Sequence, residues 1–90
     1  MYTLIIDCSG FVLEHSVHIL DPNGGIVGLI HLPSAEIANF VAKDTRISNV
    51  KLSGAMEYCN GIKEEIEKQV ALEYANNKRN LEIEVIKWDI

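Results

Sequence analysis

Little in this sequence points to a membrane, a nucleic acid or an oxidising compartment. Only two cysteines occur, Cys8 and Cys59. They are too few and too far apart for a disulfide framework, so a reducing cytoplasm is the expected setting. No apolar run approaches the roughly 20 residues of a membrane-spanning helix. The N-terminus has neither the basic flank nor the small-residue cleavage site of a secretory signal. Eight Lys and Arg stand against thirteen Asp and Glu, a net charge of −5. That balance argues against wrapping nucleic acid, whose binding rests mainly on basic groups set against phosphates. Low-complexity tracts, Pro- or Ser-rich linkers and internal repeats are also absent. What remains is an ordinary globular composition, 48% apolar and 23% charged, in a length with room for one core. Residues 1–90 are expected to form a single domain.

The organising stretch is Tyr2-Thr3-Leu4-Ile5-Ile6-Asp7, an apolar strand that ends on a carboxylate beside Cys8-Ser9-Gly10. Residues 11–20 then alternate with a period of two, which marks a half-buried strand. Asp21-Pro22-Asn23-Gly24-Gly25 breaks the pattern with turn-forming residues, and residues 26–32 resume it, so 11–32 read as a β-hairpin. Setting Asp21 opposite Gly25 places Val17 beside Leu29, Ile19 beside Val27, and His15 opposite His31. Pro33-Ser34 opens a helix, with Ser34 as N-cap, Glu36 in the first turn, and Ile37, Phe40 and Val41 at helical spacing. Residues 47–53 form a fourth strand. From Ala55 onward the period is helical, with Cys59, Ile62, Ile66, Val70 and Tyr74 along one side; Asn60, a good N-cap, offers a later first turn, because Gly61 is a poor interior residue. Leu81-Glu82-Ile83-Glu84-Val85-Ile86 alternates as a fifth strand.

The order β-β-β-α-β-α-β predicts a five-stranded mixed sheet in the order 3-2-1-4-5. Two right-handed crossovers travelling the same way put both helices on one face. The expected architecture is therefore a two-layer α/β (α+β) domain with one wet sheet face. Leu4, Ile6, Val50, Leu52, Ile83 and Val85 are expected to point at the helices. Thr3, Asp7, Glu14, Ser16, His18, Asn49, Lys51, Glu82 and Glu84 are expected to point away.

That order resembles the ribonuclease H-like core shared by nucleases, integrases and resolvases and by each half of actin-like ATPases. Leu4-Ile5-Ile6-Asp7-Cys8-Ser9 resembles the first catalytic strand of those nucleases, which ends in a metal-binding Asp. Ser34-Ala35-Glu36 resembles the start of their first helix, where a second metal carboxylate sits. The resemblance implies Mg²⁺ held by Asp7 and Glu36. Where the family carries a third carboxylate, this chain has Ser53-Gly54-Ala55, so no metal-dependent nuclease activity is expected. The stretch from Val50-Lys51-Leu52-Ser53-Gly54 to Gly61-Ile62-Lys63-Glu64 also resembles the adenosine-binding turn of actin-like ATPases, with one glycine where two are the pattern. The fold hosts many functions, so the likeness concerns architecture first.

Each candidate site has a plainer reading. Asp7 and Glu36 are also a strand-end Asp and a helix-start Glu, both locally favoured. His15 and His31, if paired across the hairpin, could bind a transition metal, but no third ligand is evident. Cys8 lacks a basic neighbour to lower its pKa, and Ser9 lacks a recognisable base. What remains is surface. Ile5, Val12, Leu20, Ile30, Ile86 and Trp88 fall by alternation among the polar residues of the uncovered face, where several apolar groups together form a contact patch. The expected function is a small non-catalytic protein-binding or self-assembly module. Its interaction surface comprises Ile5, Val12, Glu14, Lys51, Ile86 and Trp88, its first partner is a second copy, and it has no cofactor. Small size and the lack of enzyme motifs fit a gene carried by a phage or other mobile element.

Overall fold

The structure, a computed structural model, describes residues 1–8, 13–73 and 81–86. The elements are β1 (Tyr2–Cys8), β2 (His15–Leu20), β3 (Ile26–Leu32), α1 (Ser34–Lys43), β4 (Ile47–Gly54), α2 (Met56–Glu73) and β5 (Glu82–Ile86). The strands form one mixed sheet in the order β3-β2-β1-β4-β5. β2 is antiparallel to both its neighbours, while β4 is parallel to both β1 and β5. This is an α+β fold with β1 at the centre of the sheet. Each parallel pairing forces the chain back across the sheet, and a helix makes each return.

One sheet face supplies Leu4, Ile6, Cys8, Val17, Val50 and Leu52 to a single buried cluster. The cluster is completed by Ile37, Ala38 and Val41 of α1 and by Cys59, Ile62 and Ile66 of α2. Both helices therefore lie on that face, as the crossover handedness requires.

One helix start differs from expectation. Pro33, not Ser34, is the N-cap of α1: its backbone is extended and its carbonyl accepts the amides of Glu36 and Ile37, each at 3.0 Å. Proline's fixed φ suits the entry to the helix, so Ser34 becomes the first helical residue and makes no side-chain cap. α2 starts at Met56, where the helical period from Ala55 places it and not at the later Asn60, with the Ala55 carbonyl accepting the amides of Tyr58 and Cys59. An exposed Gly61 inside the helix costs about 1 kcal/mol against alanine. Starting early buries Cys59 with Ile62 and Ile66, and each buried apolar side chain contributes about 1.5–3 kcal/mol. Burial outweighs propensity.

The hairpin carries the largest correction. Asp21 N–H donates to the Gly25 carbonyl at 2.9 Å and Gly24 N–H to the Asp21 carbonyl at 3.0 Å, with Gly24 at φ 87°. This is a type I turn followed by a left-handed residue, which glycine adopts without strain. The Asp21 carboxylate also accepts the amides of Asn23 and Gly25. The expected closure of the turn holds, and Leu20 pairs with Ile26. The next pair is Ile19 with Gly28, so Val27 is an extra residue and the register moves by one. Val17 therefore faces Ile30 rather than Leu29, and His15 faces Leu32 rather than His31. β2 also starts later than the alternation suggested, at His15; Leu13 and Glu14 precede it and are exposed.

Candidate functional site

Asp7 sits at the end of β1, half-buried, paired with Ser53 of β4, and Cys8 is paired with Gly54. Since Leu4, Ile6 and Cys8 point at the helices, Asp7 points to the helix-free face. Glu36 is exposed in the first turn of α1, in the helical layer. The two carboxylates thus stand in different layers of the fold. Among the described residues, no group of three or more His, Cys, Asp and Glu side chains is placed to hold a metal ion.

The one-residue shift separates the two histidines. His15 lies on the helix face and is buried; its Nδ1 donates to the Asp7 carbonyl at 2.9 Å, latching the start of β2 to the end of β1. His31 lies on the opposite face, where Ser16 Oγ is 3.4 Å from its Nδ1. They cannot close on one metal ion.

Cys8 is buried in the core, and its Sγ lies 3.6 Å from the Ile6 carbonyl as donor. Burial first, then the adjacent Cys59 thiol and Asp7, push the Cys8 thiol up to about 12. A thiol held neutral in this way is a packing group rather than a nucleophile. Ser9 lies outside the described residues.

The residues expected to form a contact surface scatter. Ile5 points to the helix-free face, yet it is only 8% exposed between His18 and Lys51 in register. Lys51 Nζ lies 3.7 Å from Glu84 on the neighbouring strand. Ile86 is half-buried opposite Ser53. Glu14 is exposed but lies before β2 rather than on the sheet. Val12 and Trp88 fall outside the described residues. Ile30, expected on the open face, turns with the shifted register to the helix side, opposite Val17.

One row of paired residues crosses the helix-free face through all five strands: Leu29, His18, Ile5, Lys51 and Glu84. It runs from an apolar end to a charged end. None of the eight basic or thirteen acidic residues lies in β2 or β3, and all three histidines do. Ile26, Val27 and Leu29 of β3 are exposed by 62%, 58% and 51%. Other exposed apolar side chains, such as Met56 and Leu72, are single residues on α2. The β3 cluster was missed because the sequence was read for alternation. Its signal was plain in another form: Ile26-Val27-Gly28-Leu29-Ile30-His31-Leu32 contains no ionised residue and no proline. No protein-family model and no curated protein matches the chain.

Proposed function

We propose that this protein is a non-catalytic protein-binding or self-assembly module on a ribonuclease H-like scaffold, with a second copy of the chain as its first partner. The strand order 3-2-1-4-5 with two helical crossovers supports the scaffold. The observation that carries the function is the uncharged outer half of the sheet, where Ile26, Val27 and Leu29 of β3 are exposed, Leu29 on the helix-free face and Val27 beside Ile19 and Phe40 on the other. Isolated exposed apolar residues are common; adjacent ones on a charge-free surface mark a site of association.

The test is capture between two differently tagged copies of the full chain, with a nuclease assay in Mg²⁺ and Mn²⁺ on single- and double-stranded substrates. Co-capture without cleavage is the expected result. Cleavage that Asp7→Asn abolishes would instead establish the reading in which Asp7 and Glu36 serve a divergent metal-dependent site.

A further inference from the structure

We infer that Asn23 is a site of spontaneous covalent change, at which the side-chain amide is lost through a succinimide formed with the Gly24 nitrogen. Asn60, the other asparagine that precedes a glycine, is kept intact by α2. This goes beyond the association reading and does not depend on it. The reaction needs the backbone nitrogen after an asparagine to reach that asparagine's Cγ. A following glycine favours the approach, because a residue without Cβ leaves the peptide free to rotate. The Gly24 nitrogen gives its proton to hydroxide and bonds to Cγ of Asn23. The Cγ–Nδ2 bond breaks, and ammonia leaves with a proton taken from water. Water then opens the cyclic imide. Opening at the side-chain carbonyl gives aspartate; opening at the main-chain carbonyl gives an isoaspartyl link, with the backbone running through Cγ. The only co-reactant is water, and nothing is oxidised or reduced.

The local sequence treats Asn23-Gly24 and Asn60-Gly61 alike; the fold separates them. Access does not decide between them: both asparagines are exposed, and a Cβ added at Gly24 or Gly61 would meet nothing within 4 Å. Backbone freedom does. Gly61 lies past the first turn of α2 (Met56–Glu73), so its N–H belongs to the helical hydrogen-bond ladder. Cys59 and Ile62 on either side of the pair are buried in the core. Turning the Asn60–Gly61 peptide toward the Asn60 side chain would break the ladder and unseat both. Gly24 instead lies in a turn at φ 87°, its N–H held by the Asp21 carbonyl at 3.0 Å. Pro22, Asn23, Gly24 and Gly25 are all exposed, so no buried side chain anchors that peptide. The Asp21 carboxylate braces the turn through the amides of Asn23 and Gly25, at 3.0 and 2.9 Å. An exposed turn opens at far lower free-energy cost than a helix packed on the core. The product sets a new negative charge on the loop joining β2 to β3, two strands with no ionised residue, in a chain already at −5.

The full chain is incubated at mildly alkaline pH in heavy-oxygen water, with and without guanidinium chloride, and digested with trypsin. Cleavage after Lys43, Lys51 and Lys63 puts Asn23 in residues 1–43 and Asn60 in residues 52–63. Fragmentation of each peptide in the mass spectrometer locates the incorporated oxygen. In the native protein Asn23 should react at least about tenfold faster than Asn60, and in denaturant the two rates should agree within about threefold. Asp21→Ala removes the brace, and circular dichroism checks its fold. It should speed Asn23 by about threefold or more and leave Asn60 unchanged. Asn60 reacting as fast as Asn23 in the native protein would overturn the inference, as would an Asn23 that reacts only in denaturant. A difference that persists undiminished in denaturant would trace it to flanking sequence instead of the fold. An Asp21→Ala rate equal to that of wild type would show that the turn does not limit the reaction, and would overturn the inference as well.

Discussion

Strand β5 ends the sheet with five residues, and its Glu82 and Glu84 are exposed on the helix-free face, Glu84 beside Lys51. β3 ends the sheet with seven residues and no ionised side chain. Coverage differs as well. α2 packs over β4, β5 and β1, and α1 packs mainly against α2, so the helical layer centres on the parallel half of the sheet. β3 is left with Ile26, Val27, Leu29 and His31 exposed and with Gly28, Ile30 and Leu32 half-buried. The difference follows from connectivity. The first crossover runs from β3 back past β2 and β1 to β4, so only Phe40 of α1 comes near the start of β3, and among the described residues no strand lies on its outer side. Among the described residues, one edge strand carries ionised side chains and the other carries none.

The sharpest way to separate the two regions is to truncate a leucine in each. Leu52 of β4 is fully buried, whereas Leu29 of β3 is 51% exposed. Leu52→Ala should lose about 2–5 kcal/mol, the transfer energy together with a cavity. Leu29→Ala should change monomer stability by no more than about 0.5 kcal/mol. Urea unfolding of dilute protein measures both. A loss at Leu29 comparable to that at Leu52 would mean that β3 is already part of the monomer's core.

Alkaline pH tests the closed region from inside. The Cys8 thiol, raised from 9.0 to about 12 in the fold, binds its proton more tightly folded than unfolded. Below about pH 9 this group is neutral in both states and leaves stability unchanged. As pH rises from there toward about 12, the unfolded chain ionises first, and stability should fall by up to about 1.4 kcal/mol per pH unit. Cys8→Ala lowers stability at every pH but should remove that part of the slope. An unchanged slope would assign alkaline sensitivity to other groups. Iodoacetamide at pH 8 should leave the native thiol unmodified and alkylate it in denaturant.

How much of this could be read in the sequence differs between the same two regions. In β4 and β5 apolar and polar residues alternate, and in β1 Thr3 and Asp7 fix the parity of a continuous apolar run, so Leu4, Ile6, Val50, Leu52, Ile83 and Val85 all fall on the helix side as expected. In β3 the residues on either side of Gly28 are apolar at both parities, so polarity cannot separate one register from the next. The Val27 bulge is a backbone choice made beside the turn. It moved Ile30 to the helix side and His31 away from His15. The near burial of Ile5 was hidden for a different reason: alternation assigns a residue to a face but does not say what its neighbours cover. The start of α2 was legible in the helical period from Ala55, and only the local preference of Asn60 and Gly61, which burial of Cys59 overrides, left a later start open.

His15 joins the two regions, and its removal has a smaller predicted effect. Its bond to the Asp7 carbonyl is part-buried, so His15→Ala should cost about 0.5–1.5 kcal/mol for the loss of that bond. Zn²⁺ at millimolar concentration should not raise the thermal midpoint of wild type, because His15 and His31 occupy opposite faces. A rise that His15→Ala and His31→Ala each abolish would show these two histidines converging and would refute the shifted register; loss with His31→Ala and His18→Ala alone would place the ion on the helix-free face.

The smallest effect concerns the charged end, where Lys51 serves in two ways that substitution can separate. Lys51 and Glu84 are substantially exposed at 3.7 Å, and such an ion pair contributes about 0.2–1 kcal/mol at most. Ile5, however, is only 8% exposed on a face that carries no helix among the described residues, directly in register with Lys51. The aliphatic stem of a lysine can lie over an apolar neighbour while its ammonium stays in water. If the stem shields Ile5, Lys51→Met should cost only a few tenths of a kcal/mol, the loss of the ion pair alone. Lys51→Ala should cost about 1 kcal/mol, because Ile5 is then uncovered as well. High salt should reduce the first cost and leave the difference between the two variants unchanged. Equal costs for both substitutions would mean that charge alone closes this end of the sheet, and that the cover over Ile5 comes from the His18 side.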